Sequence, residues 1–253
     1  MKRAFIIFTL LMASAALLGA QNALSIMTSA KNRVPAQTIQ SQIRAVITAR
    51  NGTTSEMALR QFSKDGPNGA RTMIEFLRPA TYQGNRVLNM ETASGSTVIT
   101  VYIRSQNRMR QLPNNEKSSS FIGDFSYDDI SFMDRNVSLD THSLLREETL
   151  NGRACYVIQS VPTDSSWQYS KTVSWIDKTS FLIYKTEMYN RNGVLQKVME
   201  MSNFQDRQGR ITPLQINLAT AGAGSTTIYM EIRYDDDIPE GVFTTRFLET
   251  GRY

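Results

Sequence analysis

Two side chains in this chain carry the reactivity that nucleophilic chemistry ordinarily needs: the single histidine, His142, and the single thiol, Cys155. A cysteine becomes a catalytic thiolate when a base stands within hydrogen-bond reach. Asn151-Gly152, set between two apolar runs, predicts a two-residue hairpin turn. That turn places Cys155 opposite Glu148 and His142 opposite Val161. The two then lie about six residues apart along the ladder, roughly 20 Å at about 3.3 Å per residue. No dyad forms in that register. A structural zinc site takes four ligands of the His or Cys type, more than the sequence holds. Cys155 therefore reads as a small, buried apolar residue.

The carboxylates Asp124, Asp128, Asp129 and Asp134 are the other group able to do chemistry. Their spacing lacks the Asp-x-Asp-x-Asp-Gly pattern of a calcium loop. On a helix, Asp124 and Asp128 share one face, away from part of the Phe121/Phe125 stripe, and the expectation is a solvated polar face. Their best enzymatic reading is a general acid and base acting on lipid. Asp235-Asp236-Asp237 reads as an exposed turn. Ser94-Gly95-Ser96 and Gly222-Ala223-Gly224-Ser225 match neither a nucleophile elbow nor a P-loop, and read as hairpin ends. No enzymatic activity, cofactor or metal is expected.

The elements that must carry these residues are mostly strands. Lys2 and Arg3, the apolar run Ala4 to Leu18 and the small pair Gly19-Ala20 form the pattern of a cleaved secretory signal peptide over residues 1–20. The run is shorter than the roughly 20 residues a spanning helix needs. No cysteine follows it to take a lipid anchor, so export to a Gram-negative-type periplasm is expected. Residues 21–253 then read as one domain. With one cysteine no internal disulfide can form, so a large core must supply the stability. The charge excess is modest: 28 Lys and Arg against 23 Asp and Glu, two of the basic residues in the leader. Arg104, Arg108 and Arg110 cluster without the aromatic ladder that single strands stack on, so nucleic acid is not an expected partner.

Asn22 to Asn32 shows helical spacing at Ala23, Leu24, Met27 and Ala30, and stops before Val34-Pro35. Alternating runs follow, separated by turn signals such as Asn51-Gly52, Asn151-Gly152, Asn192-Gly193 and Gln208-Gly209. Ten or eleven strands of even length with tight turns predict a mainly β fold: a single, strongly curved antiparallel sheet. Between Thr72 and Ile130 come strands and then the greasy segment Ser120-Phe121-Ile122-Gly123-Asp124-Phe125-Ser126-Tyr127-Asp128-Asp129-Ile130. This predicts a half-open sheet with a movable apolar lid. Phe121, Ile122, Phe125 and Ile130 are expected to enclose an apolar, acyl-binding chamber with Leu88, Met90, Ile99, Val101 and Met109. Methionines scattered along the strands suit flexible chains of varied shape.

The order of a helix, strands, a strand ending in Arg78-Pro79, paired strands and an aromatic lid resembles the periplasmic lipoprotein-carrier (LolA-like) superfamily. The string from Phe121 to Ile130 and the ending Ile238-Pro239-Glu240-Gly241-Val242-Phe243-Thr244 look most like its outer-membrane lipoprotein-sorting branch. The resemblance covers residues 23 to the end. It implies an unclosed β-barrel of about eleven strands with short helices as a lid. It also implies a monomeric carrier that shields acyl chains of lipoproteins or lipids between an inner-membrane exporter and an outer-membrane acceptor. A lipid-sensing or exporter-accessory module of the same fold is the alternative. Arg78 matches the arginine that latches the lid in that family.

Overall fold

Alternation of apolar and polar residues, with a turn every ten or so positions, makes the chain fold almost entirely as strands. The computed structural model describes residues 22–33, 35–66, 69–93, 97–113, 116–133, 135–165 and 167–253. The leader 1–20, Ser94-Gly95-Ser96 and Asp134 lie outside the described residues. Among the described residues there are fifteen strands rather than about eleven, every pairing described is antiparallel, and the large sheet does not close. The extra strands are short. β6 (Arg108–Gln111), β7 (Ser120–Ile122) and β8 (Phe125–Ser126) hold four, three and two residues, too few to show an alternating pattern. Among the described residues the contacts form two compact units: 22–33 with 136–196, and 35–135 with 197–253.

The smaller unit contains α1 (22–31), β9 (Asp140–Leu150), β10 (Arg153–Pro162), β11 (Tyr169–Asp177) and β12 (Ile183–Asn190), the strands in the order β12-β11-β10-β9. Ala23, Ile26 and Met27 recur at helical spacing, so they share a face. They are buried against Ile158 and Ile176. Leu24 points away from that face and is 44% exposed. Asn151 and Gly152 both take positive φ, as a tight primed turn requires. Cys155 does face Glu148 across the hairpin. His142 faces Ser160 rather than Val161, because a bulge between Val157 and Ile158 moves the register by one residue.

The larger unit holds β1 (Thr38–Thr48), β2 (Thr54–Gly66), β3 (Gly69–Arg78), β4 (Arg86–Glu91), β5 (Thr97–Ile103), β6, β13 (Leu195–Arg207), β14 (Arg210–Thr220) and β15 (Ser225–Tyr234). Their order is β6-β5-β4-β3-β2-β1-β15-β14-β13. The hairpin β7-β8 leads into α2 (Tyr127–Met133), and α3 (Thr245–Thr250) ends the chain. Because side chains alternate across a strand, the cross-strand register fixes which residues share a face. One face carries Met73, Leu88 and Tyr102 and is covered by Ile238, Val242, Phe243, Phe247 and Leu248 of the C-terminal segment. A buried pair, Arg86–Glu75 at 2.8 Å, lies on the same face, and Arg86 also donates to the carbonyls of Leu248 and Glu249 near the end of α3. The other face carries Ile43, Ala45, Leu59, Ile74, Phe76, Val87, Ile99, Val101, Ile216, Leu218 and Ile228, all buried. The lid lies on this second face.

Candidate functional site: a pinned lid beside an arginine-bearing cavity

The lid is built from the hairpin β7-β8 and α2. Gly123 takes φ +54 in the turn of that hairpin, and a Cβ there would collide with Thr226 Oγ1 and Ile47. A glycine lets the turn sit directly on β1 and β15. The contact is polar as well as close. Asp124 N donates to Thr226 Oγ1 (2.8 Å), whose hydroxyl donates to Asp124 Oδ2 (3.0 Å). Phe121 makes an edge contact with Phe76 of the sheet at 5.3 Å between ring centroids and packs on Tyr127 at 4.9 Å.

Ser126 and Asp129 form a reciprocal cap on α2. Asp129 N donates to Ser126 Oγ (3.2 Å), and Ser126 N donates to Asp129 Oδ2 (2.8 Å). The same carboxylate oxygen accepts the Ser126 hydroxyl (2.8 Å) and meets Lys197 Nζ of β13 at 2.5 Å. Lys197 Nζ also donates to Asp124 O (2.7 Å). Asp129 is fully buried and Lys197 is 6% exposed. The carboxylates of α2 are thus not the solvated polar face expected from their spacing. Asp128 is 8% exposed, and burial pushes its carboxyl up to about 6. Lys117, Arg135 and Lys197 oppose that shift, while Asp129 adds to it. The helix begins only at Tyr127, so Asp124 sits in the preceding turn rather than one helical turn before Asp128.

The residues expected to line the chamber separate by face. Phe125 (0% exposed) and Ile122 (2%) are packed into the lid, Phe121 and Ile130 are half-buried, and Ile99 and Val101 lie on the lid face of β5. Leu88 pairs with Thr100 and Met109 with Tyr102, and both lie on the opposite face together with Met90. Leu88 is buried under the C-terminal segment, whereas Met90 and Met109 are 39% and 41% exposed. The sequence marks all of these as apolar strand residues, but a one-residue difference in register decides the face.

Arg78 is exposed at the end of β3, and its peptide bond to Pro79 is cis. Among the described residues no hydrogen bond joins its side chain to the lid. It lines a cavity of about 980 Å³ instead, with Ile43, Met57, Leu59, Leu77, Arg207, Leu214 and Met230. Along β1 the cavity ends at Arg44, three residues before Ile47, where the lid turn rests, about 10 Å away at about 3.3 Å per residue.

Sequence reading missed the pair Lys197–Asp129. The capping pattern Ser126-x-x-Asp129 is visible in the sequence, but nothing near Lys197 marks a partner 68 residues away. In the smaller unit, His142 is held by Ser160 Oγ and Val137 O, each at 2.8 Å, and burial pushes the Cys155 thiol up. No described helix is long and apolar enough to cross a membrane.

Three solved structures share this architecture. A domain from Vibrio parahaemolyticus named for outer membrane lipoprotein sorting superposes with a TM-score of 0.84 at 23% identity, covering 91% of this chain and 99% of its own. A DUF1329 family protein from Desulfovibrio piger gives 0.85 at 24% identity, with the same coverage. A LolA superfamily protein from Nitrosomonas europaea gives 0.73 at 23% identity, covering 89% of this chain and 98% of its own. These likenesses show that the chain shares the fold of these three structures. No curated protein matches the chain. A family profile described as "uncharacterized protein" matches residues 68–250. With most of its length inside that match, the chain belongs to the DUF1329-like family.

Proposed function

We propose that this protein is a periplasmic carrier that shields the acyl chains of lipoproteins or lipids during transfer towards the outer membrane. The observation that carries the reading is the cavity floored by Ile43, Leu59, Leu214 and Met230, next to a small lid pinned at few points. Burying an acyl chain yields about 0.8 kcal/mol per methylene, so half a chain on this floor supplies substantial affinity without any reacting group. Release requires the cover to move, and a two-strand hairpin with one short helix is a small element that can lift without unpairing the large sheet. The names of the similar structures, lipoprotein sorting and LolA superfamily, support the same class of work.

The test is titration of the purified protein with a fluorescent fatty acid, followed by transfer from donor to acceptor vesicles. The carrier reading expects saturable, stoichiometric binding and protein-dependent transfer. Binding without any transfer would replace it with a sensing module of the same fold.

A further inference from the structure

Hairpins of one antiparallel ladder turn alternately at its two ends, and in the larger unit those ends differ in charge. The end bearing the β2-β3 and β13-β14 turns carries Asp65, Glu91, Asp206, Asp235 and Glu240. There Lys64 and Arg71 meet Glu240 at 2.8 and 2.7 Å, Arg210 meets Asp235, and Arg233 meets Asp236. The opposite end carries the turns β1-β2, β3-β4, β5-β6 and β14-β15. Residues 49–53, 79–85, 104–107 and 221–224 in those turns hold no Asp or Glu. Arg50, Arg78, Arg104 and Arg108 stand in or beside them, all exposed, and none makes an ion pair with a described residue. Glu56, two residues into β2, is already held by Arg44 at 2.9 Å, and Glu75 is buried beside Arg86. Glu249 at the end of α3 is accompanied by Arg246 and Arg252.

The β3-β4 corner also exposes two apolar side chains, Leu77 at 37% and Tyr82 at 44%. Neighbouring strands lie about 4.8 Å apart, so successive turns stand about 10 Å apart and the arginines span about 20 Å of rim. A guanidinium matches phosphate oxygens in pairs, and a tyrosine suits the boundary between acyl chains and head groups. Lipids diffuse sideways, so a phosphate can gather at each arginine without a partner shaped to that spacing. We propose that this rim docks the larger unit onto an anionic phospholipid surface, with Leu77 and Tyr82 entering the head-group layer between the arginines. Leu77, Arg78, Pro79 and Ala80 border the cavity as well, so docking here brings the cavity to the lipid. The inference goes beyond the carrier reading, which names no docking surface.

The experiment measures co-sedimentation of the purified protein with phosphatidylcholine vesicles and with vesicles in which phosphatidylglycerol replaces about a third of the lipid. The anionic vesicles should bind at least about tenfold tighter, and about 0.5 M salt should remove most of that difference. In the Arg50→Gln, Arg78→Gln, Arg104→Gln, Arg108→Gln variant, checked for folding by circular dichroism and thermal midpoint, the preference should fall to about twofold or less. Tyr82→Trp adds a fluorophore beside the buried Trp167 and Trp175, and its emission should shift to the blue on anionic vesicles. Equal binding to both vesicles, or to neither, would overturn the docking inference. A folded arginine variant that keeps the wild-type preference would overturn the assignment to this rim. A preference lost in that variant but with no blue shift in Tyr82→Trp would overturn insertion into lipid and point to an acidic protein as the partner. All these readings are taken without cargo, so they stand or fall separately from the fatty-acid titration that tests the carrier.

Discussion

Lys197 and Asp129 meet at 2.5 Å in a site closed to water, and the energetics of that pair are asymmetric. Removing one partner leaves the other charged and buried, which costs on the order of 3–5 kcal/mol. Lys197→Met should therefore lower the urea midpoint and raise amide exchange in residues 120–133 well before the strands of the sheet respond. Equal loss of protection everywhere would show that the pair supports the whole unit rather than the lid. Asp128 makes a second prediction, about pH. Its folded carboxyl titrates near 6 because burial disfavours the anion, against an ordinary value of 3.8. The native state then binds more protons than the unfolded chain between about pH 4 and about pH 6, so stability falls as pH rises through that window. Asp128→Asn should stabilise the protein at pH 7 and flatten this part of the profile. Urea midpoints at pH 4.5 and pH 7.5 decide it, and an unchanged difference between them would exclude Asp128 as the cause.

Among the elements, the lid hairpin works through its close approach to β1 and β15. Gly123→Ala puts a methyl into Thr226 and Ile47 at a positive φ, so the turn must lift off. Faster exchange at residues 120–126, with strand protection unchanged, is the expected result. Phe121→Asp with Phe125→Asp goes further, putting charge against Phe76 and into the fully buried Phe125 position. Fluorescent fatty-acid binding should be lost while the far-ultraviolet circular dichroism of the sheet persists. Wild-type affinity in that double variant would mean that the lid takes no part in binding. The elements were also the scale at which the sequence was most legible. α1, the Asn151-Gly152 hairpin and the strand series follow from spacing and turn residues alone. The bulge at Val157/Ile158 was not legible, because an inserted residue leaves both flanking strands with normal alternation.

At the scale of the whole molecule, carriage and catalysis differ in what remains after incubation with lipid. The carrier reading expects lipids and acylated peptides to be recovered intact in stoichiometric complexes, as mass spectrometry would show. Cleavage products that disappear in the Asp124→Asn, Asp128→Asn variant would overturn it. The sequence by itself determined the class of the fold, the position of the lid segment and the Arg78-Pro79 corner, because apolar period, turn chemistry and local motifs are written within a few neighbouring residues. Only the tertiary structure decided that Leu88, Met90 and Met109 turn away from the lid, since a side chain's face depends on which residue of another strand stands opposite. It alone brought Lys197 to Asp129 and set Arg50, Arg78, Arg104 and Arg108 along one rim of the sheet. Those residues are far apart in the chain, and each reads as an ordinary surface charge until the curved ladder fixes its neighbours.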